Sequence, residues 1–364
     1  LSDKILNEGR RARDAYMEFL ASGDSDYPIE LLKGAGVDMS TVNSIEDLEA
    51  VFEQVHAYDP NIVCYAPNNQ GDTSLIRPIL RSEEKIDCLN DTDYYAGVTM
   101  NGDSTVTNLY ASDAFMEKCK LMREWNQKGY LQADAATTTS TAPELFSAGR
   151  CFSTIDAYGG DSAGAVLSRS SGHNLKSKIL YNFYFDSASV YVDFGIASTS
   201  KVPEAAMKMI NRLWTDEYLI NTFLYGEEGV DYVKPDADHW AYPDGKDATT
   251  VGYTAALCTG VIGSESLQYQ PVGTDIADIQ LKLKHNKESE RSPFFGFMFD
   301  ASGVTTEMSA IANVYNQYVP GLICGTVDPE TTMPEFLNAL DAAGINTVIQ
   351  AKQEQLDAWI AAQK

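Results

Sequence analysis

The sequence predicts an α/β fold, and three observations carry that reading. Short apolar runs alternate with amphipathic helical stretches along most of the chain. Gly, Pro or Asn-Gly punctuation falls between them. The 364 residues, 44% of them hydrophobic, suffice for one large core or two modest ones. No stretch approaches the uninterrupted apolar length a membrane span needs.

In chain order, residues 4–21 read as a charged amphipathic helix with Ile5, Ala12, Ala15, Tyr16 and Phe19 on its apolar side. Ser44-Ile45-Glu46-Asp47 resembles a capping box, and Leu48, Val51, Phe52 and Val55 form the buried stripe of the helix it opens. Pro60 precedes a short strand over 62–66, followed by the polar loop Asn68-Asn69-Gln70-Gly71. Residues 95–100 and 105–110 flank Asn101-Gly102, a strong hairpin signal. A helix over 113–128 stops at Gly129. A short helix over 143–148 leads through Gly149 to a strand over 151–155 and then Asp156-Ala157-Tyr158-Gly159-Gly160. Strand-like runs follow at 179–185 and 190–197. Pro203 opens a helix with inner face Ala206, Met209, Ile210 and Leu213. Residues 226–275 are rich in Gly, Asp and Tyr and read as loop, and helical patterns resume near Asp275 and from Thr305 to the end.

The formal charge of −25, from 27 basic and 52 acidic residues, argues against nucleic acid as a partner, since phosphate binding needs basic surface. It suits a neutral ligand better than an anionic one. Six cysteines (Cys64, Cys88, Cys119, Cys151, Cys258, Cys324) show no CxxC spacing, so zinc-ribbon and redox motifs are unsupported and buried apolar roles are expected.

Gly160-Asp161-Ser162-Ala163-Gly164 fits the G-x-S-x-G pattern of a hydrolase elbow, with Ser162 as nucleophile and His239 or His285 as base. No HGGG-type oxyanion segment precedes it, and the strand ends several residues early. A glycine-rich turn is the simpler reading. The spacing of Gly159, Gly160 and Gly164 is wrong for a dinucleotide fingerprint. Asp236, Asp238, Asp244 and Asp247 lack EF-hand spacing and read as a solvated acidic loop. No catalytic residue, metal ligand or cofactor is therefore assigned. Trp125 and Trp214 sit at core-compatible helical positions. Tyr158, Phe297 and Phe299 lie beside or near glycines at element ends, where an aromatic face can stack on a pyranose while Asn, Gln and Asp meet its hydroxyls.

The C-terminal residues carry a family resemblance. Gly296-Phe297-Met298-Phe299-Asp300, Gly325-Thr326-Val327-Asp328-Pro329-Glu330, Pro334-Glu335-Phe336-Leu337-Asn338-Ala339-Leu340 and Gln353-Glu354-Gln355-Leu356-Asp357-Ala358-Trp359 resemble the lipoprotein-type extracellular solute-binding proteins that deliver sugars to bacterial ABC importers. The resemblance runs over about residues 41–364. Residues 1–40, through Ala12-Arg13-Asp14-Ala15-Tyr16 and Ser25-Asp26-Tyr27-Pro28-Ile29-Glu30-Leu31-Leu32, are instead similar to the C-terminal tail of oligoendopeptidase F family peptidases. No His-Glu-x-x-His occurs, so that family's zinc chemistry has no counterpart here.

The resemblance implies a periplasmic-binding-protein-like (type II) two-lobed α/β fold with an incomplete first lobe. Its expected parts are a peptidase-tail-like segment 1–40, a second lobe 41–257, a hinge or first-lobe remnant 258–304, and a C-terminal helical segment 305–364. The implied function is non-catalytic capture of a carbohydrate, an oligosaccharide, with ABC permease subunits as partners. Implied too are a monomer and an extracellular, surface-anchored location through a lipid anchor absent from this sequence. The implied ligand contacts are Asn68, Asn69, Gln70, Tyr158, Gly159, Phe297, Phe299 and Asp300. A Ser162 esterase, a non-catalytic peptidase-fusion remnant and a non-transport glycan-adhesion module are the alternatives.

Overall fold

The computed structural model describes residues 15–20, 36–67, 76–157, 173, 175–181, 184–187, 196–253, 263–274 and 276–363. Its elements, in chain order, begin with β1 (Ala15–Leu20), α1 (Leu48–Tyr58), β2 (Val63–Tyr65), α2 (Arg77–Glu83) and α3 (Asp113–Gln127). Next come α4 (Ala142–Ser147), β3 (Cys151–Ala157), β4 (Leu175–Tyr181), α5 (Pro203–Leu213) and α6 (Glu217–Tyr225). The last are β5 (His239–Trp240), β6 (Gln270–Pro271), α7 (Ile276–Glu288), α8 (Thr305–Ile323), α9 (Pro329–Ala342) and α10 (Ile345–Ala362).

The chain divides into two compact units, a larger one of residues 13–188 and 289–364 and a smaller one of 1–12 and 189–288. The expected 41–257 segment contributes to both units. The larger unit holds a four-stranded sheet in the order β2-β3-β1-β4, with β2 parallel to β3 and β1 antiparallel to both of its neighbours. Residues 15–20 are thus a strand, not the helix expected from periodicity. Ladder hydrogen bonds on both edges of β1 override a weak local helical preference, and Ala-Tyr-Met-Glu-Phe-Leu also suits a strand.

The core of the larger unit forms where the sequence pattern places it. Leu48, Val51, Phe52 and Val55 are all buried. Phe52 meets Trp125 edge-on at 4.8 Å and lies against Tyr65, Tyr130 and Phe152. Such aromatic pairs contribute about 0.5–1.5 kcal/mol each beyond their burial. The capping-box reading holds at Ser44, where Ser44 N donates to the Asp47 carboxylate at 3.0 Å and Asp47 N donates back to Ser44 Oγ at 3.4 Å, closing the turn from which α1 runs on at Leu48. At Asn101-Gly102 both residues are left-handed, as a two-residue hairpin turn requires, yet pairing stops at one bridge, Val98 to Thr107. The 179–185 strand expectation is also corrected. β4 ends at Tyr181, and Phe185 makes a separate parallel bridge to Arg291. The 190–195 part of the next expected strand lies outside the described residues.

Helices α8, α9 and α10 complete the larger unit. Asp328 caps α9 through Glu330 N, with Pro329 at its first position. In the smaller unit, α5 and α6 meet around Leu213, Trp214, Ile220 and Leu224, and β5 pairs with β6. The inner face expected for α5 is mostly uncovered. Leu213 is buried, Ala206 and Ile210 are half-buried, and Met209 is exposed.

Candidate ligand-binding site

β2 and β3 run parallel in register, Val63 opposite Cys151 and Tyr65 opposite Ser153, so their carboxyl ends share one sheet edge. That edge is where open α/β sheets commonly take ligands. Ser153 Oγ donates to the Cys64 carbonyl, and Thr154 Oγ1 donates to the Ala66 carbonyl at 2.7 Å, locking the two strands together. Asn68, Asn69 and Gln70 follow β2 in sequence, and Tyr158 and Gly159 follow β3. All five lie outside the described residues, as does the Ser162 motif.

The other expected contacts are described. Phe297 is buried with Leu89, Val106, Phe294 and Leu356, and its ring meets Trp359 edge-on at 6.0 Å. It anchors α10 rather than offering a stacking face. Phe299 is half-buried, and the Lys352 ammonium lies 5.3 Å from its ring centre. Asp300 is exposed and caps the short helix Ala301–Gly303 through Ser302 N. Its backbone N donates to Gln355 Oε1 and its carbonyl accepts from Gln355 Nε2, both at 2.9 Å. Hydrogen bonds from Ser302, the backbone amide first, hold its carboxyl below the usual range. Phe299 and Asp300 are therefore fixed by α10.

Sequence reading missed a buried polar network in the larger unit, where residues 184–187 and 289–292 run side by side. Phe185 N donates to the Glu290 carbonyl at 2.9 Å, and Ser292 N donates to the Phe185 carbonyl at 2.7 Å. Asp87 accepts from Ser187 N at 3.0 Å, Ser187 Oγ at 2.5 Å and Leu89 N at 2.8 Å. Asp186 pairs with Arg81 and accepts from Cys88 Sγ at 3.3 Å. Burial first, then the charge of Asp186, raises the Asp87 carboxyl. Burial opposes the Arg81 charge, but Asp186 beside it holds the guanidinium pKa above its ordinary value. The larger unit's chain breaks off after residue 188 and resumes at residue 289, and this network lies beside those two points within the larger unit.

The adjoining loop is backbone-strained. Lys85, Leu89, Asn90, Tyr95 and Asn101 all have positive φ, and among the described residues no other non-glycine does. Lys352 holds this loop from α10, donating to Asp91 Oδ2 at 3.1 Å and to the Gly97 carbonyl at 2.9 Å while fully buried. Burial lowers its pKa, with Asp91 partly offsetting. One signal was available, since Asn101-Gly102 marked the loop's end. No periodicity marks a lone lysine as internal.

Two of the groups a hydrolytic or metal reading would use, His239 and Asp247, are engaged by neighbouring residues. His239 has Nδ1 2.9 Å from Asp236 and Nε2 2.8 Å from the Thr274 carbonyl, and these contacts, Thr274 first, raise its pKa. Asp247 accepts from Thr249 and Thr250. Among the described residues no group of three or more His, Cys, Asp or Glu is placed to hold a metal.

The fold is that of the type II solute-binding proteins, as the solved structures it matches show. The family described as a domain of unknown function (DUF3502) matches residues 293–361, the segment holding Phe297 to Asp300, α8, α9 and all but the last residue of α10. The chain is 28% identical over 339 residues, 91% of its length, to a carbohydrate ABC transporter substrate-binding protein of Streptococcus pneumoniae serotype 4, and spans 65% of that relative's length. A 54-residue stretch, 15% of the chain, is 50% identical to oligopeptidase PepF of Bacillus subtilis and covers 8% of that enzyme. The crystal structure of the N-glycan transport solute binding protein of Streptococcus pneumoniae matches 97% of this chain, which covers 74% of it, with TM-score 0.77 and 25% identity. The same protein in complex with Man5GlcNAc matches with TM-score 0.70 and 24% identity, over 99% of this chain and 78% of that one. The resemblance to solute-binding proteins thus extends over nearly the whole chain, and the peptidase likeness is confined to a small part of it.

Proposed function

We propose that this chain is the substrate-binding component of an ABC importer and takes up an oligosaccharide, reversibly and without catalysis. The observation that carries the reading is the fold match to the pneumococcal N-glycan transport protein, joined to similarity with a carbohydrate-transporter protein over 91% of the chain. A net charge of −25 favours a neutral ligand, which a sugar is. The contacts proposed are Asn68, Asn69, Gln70, Tyr158 and Gly159 beyond the ends of β2 and β3, with Phe299 and Asp300 on the segment that α10 steadies. Phe297 serves as internal support for that segment. An aromatic ring stacks on the apolar face of a pyranose while amides and carboxylates meet its hydroxyls.

ABC permease subunits are the proposed partners, the location is extracellular with a lipid anchor at the membrane, and the receptor acts as a monomer. Titration calorimetry with Man5GlcNAc, shorter mannose-containing fragments and milk-type oligosaccharides tests the proposal, with short peptides as controls. Saturable one-to-one binding of one glycan class, with the glycan recovered intact by mass spectrometry, is the expected result. Binding of peptides alone, or cleavage of the glycan, refutes it.

A further inference from the structure

The smaller unit carries a cavity of about 130 Å³ that shares no residue with the proposed glycan contacts. Its walls follow from local structure. Ile276, Ile279 and Leu283 recur at helical spacing, so α7 turns one apolar face to it, and Leu267 adds to that floor. The polar side comes from the start of α6, from β6 and from the residue before β5. Asn221, 1% exposed, ties these parts together. Its Nδ2 donates to the Glu217 carbonyl at 2.8 Å and the Leu267 carbonyl at 2.7 Å, and its Oδ1 accepts from Tyr269 N at 2.8 Å. Tyr269 Oη donates to Glu217 Oε1 at 3.0 Å, and Gln270 N donates to the Asp238 carbonyl at 2.8 Å. Glu217, Asp238 and Gln270, which all line the cavity, thus stand on one hydrogen-bonded frame.

That frame offers acceptors. Gln270 is 7% exposed and its Nε2 donates to the Gln268 carbonyl at 3.1 Å, which leaves Oε1 as an open acceptor in the cavity wall. Among the described residues the Asp238 carboxylate accepts no hydrogen bond, and the Glu217 carboxylate accepts from Tyr269 alone. No Lys or Arg lines the cavity. Two carboxylates with no cation beside them make an anion a poor occupant. An ammonium group carries three N–H donors and a positive charge, which match three acceptors, two of them anionic. The volume approaches the roughly 150 Å³ of an apolar cavity that admits benzene, so a short aliphatic body fits on the α7 floor. A neutral polyol would leave both charges unbalanced and the apolar floor without matching surface. We propose that this cavity is a binding site for a small organic cation, a primary ammonium group on a short aliphatic body, distinct from the glycan site.

The test uses the full 364-residue chain and titration calorimetry at low salt. The probe is n-butylammonium, with butan-1-ol as its uncharged counterpart and butyrate as its anionic one. The expected result is saturable one-to-one binding of n-butylammonium, at least tenfold tighter than butan-1-ol, absent for butyrate and weakened by added salt. Asp238→Asn should weaken it about threefold, the scale of a partly exposed charge pair. The melting temperature of that variant should stay unchanged, because Asp238 is exposed and its carboxylate makes no bond to lose. Glu217→Gln, which keeps an acceptor for Tyr269, should weaken binding to the same degree. Man5GlcNAc titrated into the same samples reports separately on the carbohydrate reading. Displacement of n-butylammonium by Man5GlcNAc would place the cavity in the glycan site and overturn the proposal. Butan-1-ol binding as tightly as the ammonium, ammonium binding indifferent to both substitutions, or a titration without saturation would overturn it outright.

Discussion

Replacing Lys352 by methionine removes the ammonium group that ties α10 to the strained 84–102 loop. Lys352 is fully buried and the Asp91 side chain 5% exposed, 3.1 Å apart. The substitution keeps most of the side-chain volume, so the loss is electrostatic. It strands a buried carboxylate and leaves the Gly97 carbonyl without its 2.9 Å donor. Breaking a buried pair from one side costs about 3–5 kcal/mol. The lower end applies, because Asp91 keeps Tyr94 N at 3.1 Å and Ala96 N at 2.8 Å. About 3 kcal/mol is a large share of a typical stability of about 5–15 kcal/mol. Urea unfolding should show a lower midpoint with an unchanged slope. Adding Asp91→Asn should cost less than the two single losses together, by about 1–3 kcal/mol of coupling. The pH dependence has a definite sign. Burial lowers the Lys352 pKa below 10.5, so the unfolded chain binds the proton more tightly. Stability from this position therefore rises with pH between the lowered value and 10.5, and Lys352→Met abolishes that rise. A loss below about 1 kcal/mol for Lys352→Met would refute the reasoning, since it would place the pair at the level of a surface bridge.

Asp87 has the opposite sign. Its raised carboxyl holds a proton better in the folded chain, so stability should fall as pH climbs from 3.8 through the raised value, and Asp87→Asn should flatten that slope in urea titrations across acidic pH. Arg81→Met leaves buried Asp186 unbalanced and should cost about 3–5 kcal/mol by the same unfolding measurement. Gly325→Ala should cost more than about 1 kcal/mol, because φ is +64° and a Cβ would lie 2.1 Å from the Met122 carbonyl oxygen. Cys64, Cys88, Cys119, Cys151 and Cys324 are buried, and burial pushes the Cys64 thiol up to about 12. Mapping by mass spectrometry should find these five unmodified by a thiol reagent until urea is added.

The legible parts of the fold were those where local pattern and packing agree. The stripe of α1, the Trp125 core position, the Pro203 helix start and the Gly129 and Gly149 stops follow from periodicity and caps. The β1 strand was not legible, because its pairing to β3 and β4 spans more than a hundred residues and no window contains its partners. Nor was the burial of Phe297, which depends on Trp359 and Leu89 meeting it from remote segments. The network of Asp87, Asp186 and Arg81 was hidden for the same reason, since isolated charges usually sit on the surface. In the candidate site, chemistry and sequence position singled out Phe299 and Asp300, while their anchoring by Gln355 needed coordinates.

The most direct measurement is a thermal-shift titration of the full chain against a panel of oligosaccharides, monosaccharides and short peptides. The proposed receptor predicts a dose-dependent rise with one oligosaccharide class, reaching about 2.7 kcal/mol of stabilisation when ligand exceeds its dissociation constant a hundredfold. Phe299→Ala should shift that titration to higher ligand concentration. A rise with peptides and none with any oligosaccharide would contradict the central claim.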